Sequence, residues 1–246
     1  MNWWDNIFTQ IIIFILISLY TNTFISGTIK NNIRDLHKSV KPMEDGTDIG
    51  WVFTNKQSGF LSNFISIGLM VIGALIIILY SFMNKTTHAL IYFNTIVFSQ
   101  LIYINTIGWT RLPDTKQGEY QCNTNNINDT TGWPYSIANC SQKIPSGHTM
   151  KLVITACILS FMFPKYYLLF SMLSAIGIYF VLAGRLHRTI DIVMGIIVGI
   201  LLCYAKPNKG LFSKYIALLL VFIHIIKLLL MKKLHRYNKD KSTNKY

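Results

Sequence analysis

The chain is predicted to be all-α: a polytopic transmembrane helical bundle of six core spans, with a further apolar helix near the C-terminus. Three observations predict it. Of 246 residues, 52% are hydrophobic and only 13% charged, about half the roughly 25% charged content of a soluble domain. The longest apolar runs reach the ~20 residues that a bilayer requires of a helix. These runs are also too long and continuous to be the alternating strands of a membrane barrel. A chain in lipid must satisfy its backbone polar groups internally, so helices remain.

The elements follow in order. Residues 7–26 form the first span. This run lacks a basic leader, exceeds the usual length of a signal-peptide core and is followed by further apolar runs, so it is not read as a cleaved signal. Residues 59–82, 89–109, 150–163, 166–183 and 190–205 supply spans two to six. A last run, 211–231, contains Lys214, His224 and Lys227. It either crosses, with Lys227 snorkelling towards the edge, or lies along the interface. The expected organisation is a six-span catalytic membrane domain over 1–210, this additional membrane or interfacial helix over 211–231, and a basic, disordered tail over 232–246.

The net charge of +13 lies mostly outside the spans, in loops 28–57, 111–143 and 185–188 and in the tail. Anionic lipid headgroups are the economical partner for such charge at a membrane surface. Nucleic acid is excluded as a partner, because the chain has no soluble basic domain to hold it.

Two short strings carry the chemistry: Pro145-Ser146-Gly147-His148-Thr149 and His187-Arg188-Thr189-Ile190-Asp191. Ionisable residues at the membrane edge are functional candidates by default. The first string reads as a helix start. Ser146 is suited to cap, Gly147 admits a ligand close to the backbone, and the free N–H groups of the first turn attract an anion that His148 can reach. The bland alternative is a capped helix that happens to contain a histidine. In the second string His187 and Asp191 are four apart, so a helix beginning near Arg188 sets them on one face. A carboxylate on one imidazole nitrogen fixes the tautomer and leaves the other as the better nucleophile. The alternative here is a capping role for Asp191, which leaves His187 idle. Arg185 and Arg188 are candidate phosphate ligands or, equally, residues facing lipid headgroups. No HExxH, carboxylate cluster or Cys/His set points to a metal, so neither a metal nor an organic cofactor is expected.

Alternation of the spans places loops 28–57, 110–144 and 185–188 on one side of the membrane, together with both strings. That side is assigned as exoplasmic. Cys122 and Cys140 lie in the third loop, where an oxidising compartment would allow them to pair. The acceptor patterns Asn128-Asp129-Thr130 and Asn139-Cys140-Ser141 lie there too. The positive-inside rule opposes the assignment, since Lys30, Arg34, Lys38, Lys41, Lys56, Arg111 and others share this side. Cys157 and Cys203 fall within spans and read as packing residues.

Ser146–Thr149 as SGHT, followed by HxTxD at His187–Asp191, resembles the lipid phosphatase/phosphotransferase superfamily of phosphatidate phosphatase type 2 (PAP2). The stretch from Leu182-Ala183 to Ile192-Val193 looks most like its sphingomyelin synthase branch. Thr106, Thr110 and Leu112-Pro113 resemble that branch's Thr-rich segment, and Cys122 and Cys140 stand at similar distances. The resemblance covers most of 106–193, while the first hundred residues agree only in topology. The phosphatase branch's Lys-x6-Arg-Pro motif is missing, because Arg111 is followed by Leu112, and its arginine six before the second histidine is Val181 here. Pro145 is nevertheless phosphatase-like. The synthase branch's arginine near the third span corresponds to Tyr103, and its acidic residue after the cysteine corresponds to Gln142.

The resemblance implies catalysis by His148, His187 and Asp191, with Ser146, Gly147, Arg185 and Arg188 binding substrate and Cys122 and Cys140 as the disulfide candidates. The implied activity is transfer of a phosphocholine- or phosphoethanolamine-type headgroup from a glycerophospholipid to ceramide through a phospho-histidine, releasing diacylglycerol. Its partners are therefore membrane lipids, with self-association into a homo-oligomer left open. Endomembranes of the Golgi or endoplasmic reticulum, or the plasma membrane, are the expected location. The alternatives are a lipid phosphate phosphatase using water as acceptor and a non-catalytic lipid-binding membrane protein.

Overall fold

A computed structural model of the chain describes residues 6–20, 48–106, 145–184, 186–205, 218–226 and 229, and every regular element among these is helical. Helix α1 covers Ile7–Tyr20, a short α2 covers Ile49–Val52, and α3 covers Gly59–Met83. After them come α4 (His88–Thr106), α5 (Gly147–Met162), α6 (Tyr167–Ala183) and α7 (Thr189–Ala205). Residues 218–226 are helical as well. The rest of the expected 211–231 helix, apart from residue 229, and the tail 232–246 lie outside the described residues.

Local chemistry explains the boundaries. Ser146 caps α5, its Oγ accepting the Thr149 N–H at 3.3 Å. Pro164 ends that helix by keeping Phe163 out of the helical region (φ −130°, ψ 72°) before a 3-10 turn at Pro164–Tyr166. Between α3 and α4 the chain reverses within a few residues, with Lys85 in the left-handed region at φ 50°. The segment read as a continuous polar loop over 28–57 contains α2, nucleated by Asp48. The Asp48 side chain accepts the N–H groups of Gly50 and Trp51.

Three helical stretches are long and apolar enough to cross a membrane: Gly59–Met83, His88–Thr106 and Pro164–Ala183. The stretch Ile7–Ile17 of α1 and the helices Gly147–Met162 and Thr189–Ala205 are apolar but shorter. Helix α5 is central and packs against α3, α4, α6 and α7, while α1 lies along α4. One apolar cluster joins Val97, Phe98, Leu101 and Ile104 to Met150. A second joins Ile77, Ala89, Tyr92 and Ile96 to Ile154, Ile158 and Cys203. Outward faces stay apolar: Phe60, Phe64, Leu75, Leu79, Leu168, Met172, Ile197 and Leu201 are all exposed. A continuous apolar exterior of this extent is costly in water and suited to lipid. These helices and this exterior are consistent with a membrane protein.

Direct contacts gather several ends at one pole of the bundle. The Gln57 N–H donates to the Ala183 carbonyl at 2.8 Å, and the Ser146 N–H donates to the Asp191 carbonyl at 2.9 Å. The start of α3, the start of α5 and the turn between α6 and α7 therefore meet. The end of α4 joins them, because a Cβ on Gly147 would lie 3.5 Å from the Tyr103 ring.

Candidate active site

The first wall of the site is the opening of α5. Pro145, Ser146 and Thr149 are buried, whereas Gly147 and His148 are half-buried. The Ser146 hydroxyl accepts from both the Thr149 N–H and the Thr149 hydroxyl, the latter at 3.0 Å. Its own N–H is spent on the Asp191 carbonyl. Ser146 therefore holds the helix start and its link to α7, and His148 is presented one residue inside the first turn.

The second wall is the opening of α7. This helix begins at Thr189, so His187 lies in the bend before it rather than on a shared helical face. The expected pairing is still found, because the chain turns at Arg188 and folds His187 back over the first turn. His187 Nδ1 lies 3.6 Å from Asp191 Oδ2, in ion-pair range and longer than a hydrogen bond. The same oxygen accepts the Arg188 N–H at 3.0 Å, so Asp191 also caps the helix. One oxygen thus faces the His187 ring and caps the helix start. His187 and Arg188 are each 5% exposed and Asp191 1%.

Close packing of α7 on α5 brings the two walls together. A Cβ on Gly195 would stand 2.9 Å from Thr149 Cβ and 3.0 Å from the Ser146 carbonyl oxygen, and one on Gly199 would stand 3.0 Å from Val153. Glycines four apart let these backbones approach as small-residue pairs do in membrane helices. As a result the His148 and His187 rings lie 6.0 Å apart, centroid to centroid, inclined at 60°. Two imidazoles at that separation can address one phosphorus, with a carboxylate behind one of them.

Sequence reasoning missed the residues that hold His187 from behind. The Trp51 indole N–H donates to the His187 carbonyl at 3.0 Å, and Asp48 Oδ2 accepts the Thr189 N–H at 3.0 Å. The available signal was an Asp preceding a short Ile-Gly-Trp-Val segment, a capping pattern inside a loop read as polar.

Among the sequence candidates, Ser146, Gly147, His148, His187, Arg188 and Asp191 are gathered at this pole. Arg185, Cys122 and Cys140 lie outside the described residues. Arg188 is buried beside the pair rather than extended to solvent. Tyr103 is 7% exposed and packs against Gly147. Cys157 is half-buried and Cys203 buried, both as free thiols. Among the described residues no group of three or more His, Cys, Asp or Glu side chains is arranged to hold a metal ion.

No curated protein and no solved structure matches the chain. Residues 139–208, which include both strings, match the family model described as PAP2 superfamily C-terminal, and this match supports PAP2 superfamily membership.

Proposed function

We propose that the chain is an integral membrane lipid phosphotransferase. In this reading it moves a phosphocholine- or phosphoethanolamine-type headgroup from a glycerophospholipid to ceramide. PAP2 superfamily members are typically phosphatases or phosphotransferases, which supports phosphoryl chemistry on a lipid. The observation that carries the residue-level reading is the His148–His187 ring pair at 6.0 Å with Asp191 at His187 Nδ1.

The arrangement suits the mechanism that the resemblance implies. Asp191 orients His187 and stabilises the positive charge that develops on its ring. The opposite nitrogen, Nε2, attacks phosphorus, and the bond from phosphorus to the diacylglycerol oxygen breaks. His148 in its imidazolium form gives that oxygen a proton, then takes one from the ceramide hydroxyl, whose oxygen displaces His187 from phosphorus. The α5 N-terminus at Gly147, with Arg188 and Arg185, supports the phosphate charge. Transfer requires that the ceramide hydroxyl reach the intermediate and water be kept from it.

The same proposal includes six spans in a catalytic domain over 1–210, an added helix over 211–231, and the site on the exoplasmic side of an endomembrane or plasma membrane. A Cys122–Cys140 disulfide would fit that side. Purified protein incubated in vesicles with labelled phosphatidylcholine and ceramide is expected to give labelled sphingolipid and free diacylglycerol. Inorganic phosphate from phosphatidate, without any new sphingolipid, would replace the transferase reading with a phosphatase. Unchanged lipid profiles on His187→Ala would leave a non-catalytic lipid-binding protein.

A further inference from the structure

A cluster outside the histidine–carboxylate set closes on the backbone that carries His187. Four donors converge on the Asp48 carboxylate. They are the N–H groups of Gly50 at 3.1 Å, Trp51 at 3.3 Å and Thr189 at 3.0 Å, together with the Thr189 hydroxyl. That hydroxyl in turn accepts the Gly50 N–H at 2.8 Å, and Trp51 adds its indole bond to the His187 carbonyl. Asp48 is 6% exposed and Trp51 2%. An ionised carboxylate only accepts hydrogen bonds, so it matches this ring of donors. Gly50 is required for the close approach, since a Cβ there would lie 2.4 Å from Thr189 Oγ1.

Capping α2 does not account for the cluster. A helix of four residues has no stability of its own, and half of the Asp48 bonds cross to Thr189. The other side of the cluster does need support. His187 stands outside α7, and its Nδ1 has no hydrogen-bond partner, so the position of the ring depends on the position of its backbone. Asp191 holds the N–H edge of the 187–188 peptide through Arg188, and the Trp51 indole holds the carbonyl edge of that same peptide.

We propose that the Asp48–Trp51 turn is a positioning element of the active site. It clamps the 187–189 backbone from the opposite side to Asp191, so that the His187 imidazole stays between Asp191 and His148. This rests on the role of His187 given under the proposed function. The clamp grips backbone behind the nucleophile, so its loss acts on the chemical step rather than on substrate binding.

The test uses the full chain in lipid vesicles. Trp51→Phe leaves a smaller aromatic ring and removes the indole donor. Thr189→Val removes the hydroxyl, and Thr189→Ser keeps it. The first readout is carbethoxylation of each histidine by diethyl pyrocarbonate, followed by peptide mass. Trp51→Phe and Thr189→Val are expected to raise the His187 rate by at least about threefold through local opening, with His88 at the far pole unchanged and Thr189→Ser restoring the wild-type pattern. The second readout is lipid transfer, where kcat is expected to fall by about tenfold to a hundredfold at constant KM. Unchanged His187 labelling in both variants overturns the proposal. A rise shared by His88 overturns it too, because the cluster would then hold the fold and not the histidine, and so does a loss confined to KM. Labelling needs no substrate, so an inactive wild type would defeat the transferase reading while labelling still decides the clamp.

Discussion

Asp191 serves two groups through one oxygen, Oδ2, which accepts the Arg188 N–H and faces His187 Nδ1. Its other oxygen is buried without a hydrogen-bond partner. The capping and catalytic contributions can therefore be separated by substitution. Asp191→Asn retains an acceptor for the cap but loses the charge that stabilises a positive His187. Its activity is expected to fall by about a hundredfold or more, while unfolding in detergent moves by no more than about 0.5 kcal/mol. Asp191→Ala is expected to lose the cap as well, costing about 1 kcal/mol more. Wild-type turnover in Asp191→Asn would reduce the residue to a cap. At His187 itself the expected outcome is loss of the phosphoenzyme. An acid-labile, alkali-stable phosphoprotein trapped from phospholipid in the wild type should be absent in His187→Ala, and its persistence there would move the nucleophile elsewhere.

At the scale of elements, the site is an interface between two helix starts, and its spacing depends on how closely α7 rides on α5. Gly195 is the contact nearest the chemistry, because an added Cβ meets Thr149 Cβ at 2.9 Å and the Ser146 carbonyl at 3.0 Å. Both partners belong to a cap that is itself bonded across to Asp191, so neither yields without disturbing the site. Gly195→Ala is expected to destabilise the protein by about 1–3 kcal/mol and to lower transfer with it. Gly68 on α3 provides the contrast, since a Cβ there meets nothing within 4 Å. Gly68→Ala is expected to be neutral or to stabilise by up to about 1 kcal/mol, the usual helical preference for alanine. Thermal melts of both variants in one detergent test the pair, and equal shifts would deny the close α5–α7 contact its importance.

For the molecule as a whole, the outward faces are apolar and the interior mixes apolar with polar side chains. Ser62, Ser66, Asn94, Thr95 and Ser99 are buried, while large apolar side chains of α3, α6 and α7 face outward. Several of the buried hydroxyls return to the helix backbone, Thr95 to Ile91 at 2.8 Å and Ser99 to Ile96 at 2.7 Å, which satisfies them without water. The chain is expected to remain in the membrane pellet through an alkaline carbonate wash and to leave it only with detergent; release by carbonate would contradict a bilayer-embedded bundle. For the proposed exoplasmic site, expression in a glycosylating host is expected to give a glycosidase-sensitive mass from Asn128 or Asn139. A mass unchanged by glycosidase would favour the opposite orientation, which the basic residues of the site side support under the positive-inside rule.

How much was legible follows from which interactions are local. Apolar runs, Ser146 as a cap, Pro164 as a stop and the separation of His187 from Asp191 are properties of neighbouring residues, and the sequence alone determined an apolar helical chain with two histidines and a carboxylate at helix starts. The helix start expected near Arg188 is found at Thr189, but the sequence did not reveal that the Asp191 carboxylate reaches back to the Arg188 N–H. Nor did it reveal the Asp48–Trp51 clamp. Its bonds join residues 136 to 141 positions apart, and most of its groups are backbone N–H and C=O that every residue carries. The 6.0 Å between the histidine rings was likewise a tertiary matter. It follows from glycines on α7 meeting Thr149 and Val153 on α5, a contact that exists only once the helices have packed.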